Sequence, residues 1–163
     1  MATIRRTRRI LEHIKNLGSD NKKVSEMAEQ YLIRHYGSEP LPYAIQACKS
    51  ENPVVRFRAV WILGKTKDPL AYETILGLCD DPDEGVRYDA TLALGHLGDR
   101  RAIEPLVELC IRGDETGSAI TALSILMESD RSEIEKLRDH PNEQVRGMAV
   151  ELLEPDLDDC CPI

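Results

Sequence analysis

Apolar residues return along this chain at a fixed interval. Every thirty-first position from residue 10 carries a large apolar side chain: Ile10, Leu41, Tyr72, Ile103 and Ile134. A second ladder with the same step holds Leu17, Cys48, Cys79 and Cys110, and a third holds Gly37, Asp68, Asp99 and Asp130. Inside each period a finer pattern is spaced by four, as in Val24, Ala28 and Leu32, then Val55, Ala59 and Leu63, then Val86, Ala90 and Leu94, and again Val145, Ala149 and Leu153. Apolar residues four apart form the buried stripe of an amphipathic helix, and the central alanine lets neighbouring helices approach closely. A second set, exemplified by Ile75, Leu76 and Cys79 or Leu106, Val107 and Cys110, belongs to a partner helix in each period. One such pair cannot bury its own apolar face, so pairs at constant spacing stack into a solenoid. The pattern predicts helices over 3–17, 21–36, 40–50, 53–66, 69–80, 83–97, 100–112, 115–128, 131–139 and 142–154.

Polar residues punctuate these segments. Asn52-Pro53, Asp68-Pro69, Asp81-Pro82 and His140-Pro141 place a polar residue before a proline suited to the first helical position. Asp99 and Asp130 are expected to cap without proline. The stretch 113–118 has two glycines and lacks the Val-Arg pair found at 55–56, 86–87 and 145–146, which predicts a frayed helix start or a change of superhelical angle. The expected organisation is one solenoid over 1–154. Residues 1–18 form a capping helix, repeats lie near 20–50, 52–80, 82–112 and 114–139, and 141–154 form a closing helix. An acidic, cysteine-containing tail follows over 155–163.

Composition narrows the function classes. The net charge is -8, with 31% charged and 4% aromatic residues. An acidic chain disfavours non-specific nucleic-acid binding, although Arg5, Arg6, Arg8 and Arg9 crowd the first helix. No apolar run approaches the roughly 18 residues that span a membrane, and no signal-peptide core opens the chain; a soluble, cytoplasmic protein is expected. Cys48, Cys79 and Cys110 fall on apolar faces and read as small hydrophobes. Their spacing is not that of a zinc site, and no cofactor or metal is expected.

The stretches Val55-Arg56-Phe57-Arg58-Ala59-Val60-Trp61-Ile62-Leu63-Gly64 and Val86-Arg87-Tyr88-Asp89-Ala90-Thr91-Leu92-Ala93-Leu94-Gly95 resemble the HEAT-like repeat of the phycocyanobilin-lyase type. Arg101-Ala102-Ile103-Glu104-Pro105-Leu106-Val107 continues that pattern and Val145-Arg146-Gly147-Met148-Ala149 restarts it. The resemblance implies an all-α fold, a right-handed superhelix of HEAT-like or armadillo type with about ten helices. It also implies an inter-repeat ladder in which Arg56, Arg87 and Arg146 meet acidic partners such as Asp81 and Asp114. Most relatives of this kind are protein-binding scaffolds. Deoxyhypusine hydroxylase is similar in its repeats, but its irons need His-Glu pairs, and the histidines here precede Ile14, Tyr36, Leu97 and Pro141. The glycosylases with such repeats need a basic cleft. Bilin lyase-type subunits, which act with a partner chain, remain as the enzymatic alternative.

Two candidate surfaces follow. With Ala59 facing the core, Phe57 and Trp61 lie about 160° and about 200° around the helix, and Tyr88 and Leu92 hold the same places one repeat on. With Val54 they define an outward apolar patch suited to another protein or to self-association. The second helices are expected to line a concave row of Glu12, Lys15, Tyr43, Gln46, Thr74, Gly77, Pro105 and Glu108, a groove for a peptide or helix. His13 and His35 are expected at the edge of the core. No residue set supplies paired carboxylates, a nucleophile with its base or a phosphate-binding loop. The sequence therefore points to a non-enzymatic scaffold or adaptor for a protein partner.

Overall fold

The computed structural model describes residues 2–37, 39–113, 115–129 and 131–154; the 155–163 tail, with Cys160 and Cys161, and the expected cap Asp130 lie outside them. Among the described residues ten α-helices follow one another: α1 (Ala2–Asn16), α2 (Lys22–Tyr36), α3 (Leu41–Ala47), α4 (Pro53–Thr66), α5 (Tyr72–Leu78), α6 (Glu84–Leu97), α7 (Ile103–Arg112), α8 (Thr116–Ser129), α9 (Arg131–Lys136) and α10 (Glu143–Leu153). Short 3-10 turns precede α5 and α7 and follow α9, and no strand occurs among the described residues. The even-numbered helices, α2 to α10, form one layer; α2, α4, α6 and α10 carry the Val–Ala–Leu stripe, and α8 keeps its Ala119 and Leu123. The odd-numbered helices form the other, and shorter ones than expected stand at 41–47 and 72–78, because the chain must turn back before the next cap.

The thirty-one-residue ladder marks equivalent points of successive layers. Leu41, Tyr72 and Ile103 are the first residues of α3, α5 and α7. The phenol of Tyr72 donates to the Arg101 carbonyl of the next repeat at 2.9 Å, with the Arg101 guanidinium 4.1 Å from the ring centre. The alanines Ala28, Ala59, Ala90, Ala119 and Ala149 are all buried, as are Leu32, Leu63, Leu94, Leu123 and Leu153. Each large member of this core contributes roughly 1.5–3 kcal/mol, so stability is distributed over the stack.

Helix starts obey capping chemistry. Asn21, Asn52, Asp83 and Asn142 accept from the backbone N–H groups of Lys23, Val54, Val86 and Gln144, and Asp68 and Asp99 accept from Leu70 and Arg101. Two expectations need correction. Asp81 is not the cap of α6; Asp83 is, and Asp81 instead accepts from the Asp83 N–H at 2.9 Å and holds Arg56. His140 likewise yields the cap to Asn142, whose N–H its Nδ1 accepts at 3.1 Å. At the other end, Gly98 stops α6 in a left-handed conformation (φ 76°), and Lys67, one period earlier, takes the same role at φ 53°.

Candidate protein-binding surface

The layer of even-numbered helices is built around two glycines. A Cβ on Gly64 would sit 2.9 Å from the Ala93 Cα, and one on Gly95 would sit 2.7 Å from the Ala122 Cα and carbonyl. Backbones of α4, α6 and α8 thus touch through Gly64–Ala93 and Gly95–Ala122, and α4 with α6 makes the most extensive helix–helix contact among the described residues. Between the second helices α5 and α7 a cleft of about 260 Å³ opens.

The Val-Arg pairs explain how three of the repeats are locked to their loops. Arg56 Nε and Nη2 donate to the two Asp81 carboxylate oxygens at 2.8 and 2.7 Å, and its Nη1 donates to the carbonyls of Ser50 and Glu51. Arg87 and Arg146 repeat the second contact at the same offsets, on Asp81 and Pro82 and on His140 and Pro141. Burial pushes the Asp81 carboxyl up, but the Arg56 hydrogen bonds and the Asp83 N–H outweigh it and hold the group below the usual aspartate range. For Arg87 the nearby acid is Glu115, 3.5 Å away; Asp114 falls outside the described residues.

The row Val54, Phe57, Trp61, Tyr88 and Leu92 lies on α4 and α6. Tyr88 is 50% exposed and Val54 is 40% exposed, while Phe57, Trp61 and Leu92 are half-buried. Phe57 packs on the core with the Arg58 guanidinium 5.1 Å from its ring centre. The Trp61 indole meets the His96 ring edge-on at 4.9 Å and lies under Lys65 Nζ at 4.3 Å. Burial, then the Lys67 charge, lowers the Lys65 pKa; burial and both lysines lower that of His96. The second-helix row is more dispersed. Glu12, Lys15, Gln46, Gly77 and Glu108 are exposed, while Tyr43, Thr74 and Pro105 are half-buried. Only Pro105 and Glu108 of that row line the α5–α7 cleft, beside an Arg112–Asp80 ion pair of 3.3 Å.

Beside this row on α4 and α6 lies a charged cluster that was missed. Arg58 is 8% exposed and its Nη1 donates to Glu29 of α2 at 2.8 Å. Its Nε is buried and meets no hydrogen-bond partner among the described residues. Asp89 of α6 is the next charge in the column. Burial, then the Glu29 charge, raise its pKa from 3.8 to about 6, against the pull of Arg58. Glu29 is raised too, by burial that outweighs Arg58. The available signal was the period itself, since Asp89 stands thirty-one residues after Arg58.

A raised carboxyl binds its proton more tightly in the folded chain than in the unfolded one. The Asp89 contribution is therefore complete below pH about 4 and is lost as pH rises through about 6. Asp89→Asn should flatten that loss and stabilise the chain at pH 7 by about 1–2 kcal/mol, less than the full shift implies because the group is partly solvated. Urea midpoints of both proteins at pH 4.5 and pH 7 test this; parallel pH profiles would disprove it.

The remaining candidates settle simply. Cys48 and Cys79 are buried free thiols pushed up to about 12 by burial, and burial raises Cys110 as well. His13 stacks on Tyr31 at 4.5 Å and Tyr31 meets His35 at 4.3 Å. His13 is half-buried, but His35 is exposed rather than at the edge of the core, because no earlier helix of its layer covers α2. Among the described residues no group of histidine, cysteine or acidic side chains is placed to hold a metal, and no helix is long and apolar enough to cross a membrane.

An all-helical stack of two layers, closely packed over α4–α8 and with arginines locking three of its turns, defines an α-solenoid repeat protein. The HEAT repeats family matches residues 41–126, just over half of the chain, and the protein belongs to that family. Among solved structures, it is similar to a chain in the complex of CpcE and CpcF of phycocyanin lyase from Nostoc sp. PCC7120, with a TM-score of 0.57 and 21% identity. That likeness, which is one of fold, covers 87% of this chain and 62% of the other, so this chain spans about three fifths of its length. No curated protein matches the sequence.

Proposed function

We propose that this protein is a non-enzymatic HEAT-repeat scaffold that binds a protein partner on the outward row of α4 and α6. The observation that carries this reading is the exposure of Tyr88 and Val54 beside half-buried Phe57, Trp61 and Leu92 on the closely packed helices α4 and α6. Aromatic anchors on a rigid support lose little entropy on binding, and Trp and Tyr are the side chains most enriched among binding hot spots. Trp61→Ala and Tyr88→Ala should each weaken the partner captured by wild-type protein about tenfold or more, while Gln46→Ala on the second-helix row should leave it unchanged. Equal capture by all variants would remove this outward row from the interface.

A second reading is favoured by the fold likeness to a chain of a two-chain phycocyanin lyase complex. In it the chain is a lyase-type or phycobiliprotein-associated subunit that works with a partner. Co-purification with a phycobiliprotein, together with a bilin absorbance change, would support that reading. Absence of both from a pigment-containing lysate would exclude it.

A further inference from the structure

The outward row of α4 and α6 is flanked by a second column in the same register. Six residues after the central alanines Ala28, Ala59 and Ala90 stand Arg34, Lys65 and His96, in the last turns of α2, α4 and α6. Four residues before them stand Gln30, Trp61 and Leu92. Positions four apart share a helix face, so the basic column runs beside Trp61 and Leu92. The contacts of α4 bear this out. Lys65 Nζ lies 4.3 Å over the Trp61 indole, and the His96 ring meets the same indole at 4.9 Å. Lys67, just past the end of α4, adds a charge that reaches both Lys65 and His96. Cations at helix ends complement the helix dipole, but that would place them on the whole layer. The last turns of α8 and α10 have none; the helices that carry them are the aromatic pair and its neighbour α2.

These cations are not neutralised from within. Arg56, Arg58 and Arg87 on the same helices each meet a carboxylate. Among the described residues no carboxylate pairs with Arg34, Lys65 or Lys67. The surrounding acids are engaged elsewhere. Glu29 and Asp89 face Arg58, and Asp68 and Asp99 accept from the N–H groups of Leu70 and Arg101. Glu128 is the acid that acts on His96. Exposed Glu26, Glu51 and Glu84 stand toward the starts of α2, α4 and α6, away from the basic column, and Glu26 pairs with Lys22 at 3.7 Å. In a chain of net charge -8, the aromatic row thus ends on a local excess of positive charge.

Resting on the reading that the row of α4 and α6 binds a protein, we propose that the segment it takes is acidic: an apolar anchor seated between Trp61 and Tyr88, with a carboxylate beside it on Lys65 and Arg34. The carboxylate supplies the counter-charge that the Lys65 ammonium lacks, and the Arg34 guanidinium offers it a bidentate partner. The acidic chain as a whole repels such a segment, so selection acts at short range, where neighbouring charges outweigh the screened field of distant ones.

Trp61 is the only tryptophan of the chain, so its emission reports on this place alone. At fixed ionic strength, with each ion scaled to its quenching of N-acetyltryptophanamide, iodide should quench Trp61 about twofold or more better than caesium, against the sign of the net charge. Lys65→Gln should erase that preference, and the double variant Arg34→Glu, Lys65→Glu should invert it. Caesium quenching wild type as well as iodide overturns the proposal. The binding arm selects random dodecapeptides displayed on phage against the full chain, with Trp61→Ala as counter-selection. Peptides enriched about tenfold or more on wild type over Trp61→Ala should set Asp or Glu next to Leu, Phe or Trp, and should lose binding to the double variant. Trp61-dependent peptides that are neutral or basic overturn the acidic assignment while leaving the row as a binding site. A selection that yields no Trp61-dependent peptide overturns both. Circular dichroism verifies that each variant is folded.

Discussion

Gly64→Leu is expected to be among the most damaging single substitutions in this protein, lowering stability by about 3 kcal/mol or more. Its first added carbon would lie 2.9 Å from the Ala93 Cα, Cβ and carbonyl, so the obstacle is the α6 backbone and not a side chain that could swing away. Relief requires α4 and α6 to separate, and α6 is held on its other side by the same kind of contact between Gly95 and Ala122. Gly77→Ala is the control. That glycine lies within α5 with open space around its missing Cβ, and alanine there should stabilise by about 0.5–1 kcal/mol through helix propensity alone. Urea midpoints of the two variants should move in opposite directions. A Gly64→Leu protein with the wild-type midpoint would mean that the layer is not close-packed.

The second large effect concerns the buried ion pair. Arg58→Met should cost about 3–5 kcal/mol, because it leaves the Glu29 carboxylate buried without its cation. Arg58 and Glu29 side chains are 9% and 13% exposed, so water replaces little of the lost interaction. Removing the whole cluster is a different matter. The triple variant Glu29→Leu, Arg58→Met, Asp89→Asn eliminates every desolvated charge, together with the orphan Arg58 Nε, and should recover most of the single-variant loss. A triple variant as unstable as Arg58→Met would show that the pair acts through its shape rather than its charge. The comparison also bears on register, since Glu29 and Arg58 join α2 to α4, where the even-numbered layer has no glycine contact.

Much of the architecture was legible because a solenoid repeats its physics. The step of thirty-one, the Val–Ala–Leu stripes and the Asn or Asp before each helix placed most helix ends within two residues, and the Val-Arg arginines proved to be inter-turn locks. The errors have local causes. Asp81 and Asp83 both sit at the start of α6, and which of them caps depends on the backbone angles at Asp83, which a string of residues does not display. The close packing of α4, α6 and α8 could not be read because it arises from Gly64 and Gly95 meeting Ala93 and Ala122, a relation between helices and not within one. The Glu29–Arg58–Asp89 cluster escaped notice because Arg58 neighbours Phe57, and helical angles alone assign it to a flank rather than to a stacking face.

The glycine seam makes the stack unevenly stiff. Backbones already in contact along α4, α6 and α8 cannot approach further, whereas the space between α5 and α7 can still narrow. A partner that draws α5 and α7 together thus meets a modest strain, whereas one that presses the even-numbered helices together must do all of the adapting itself.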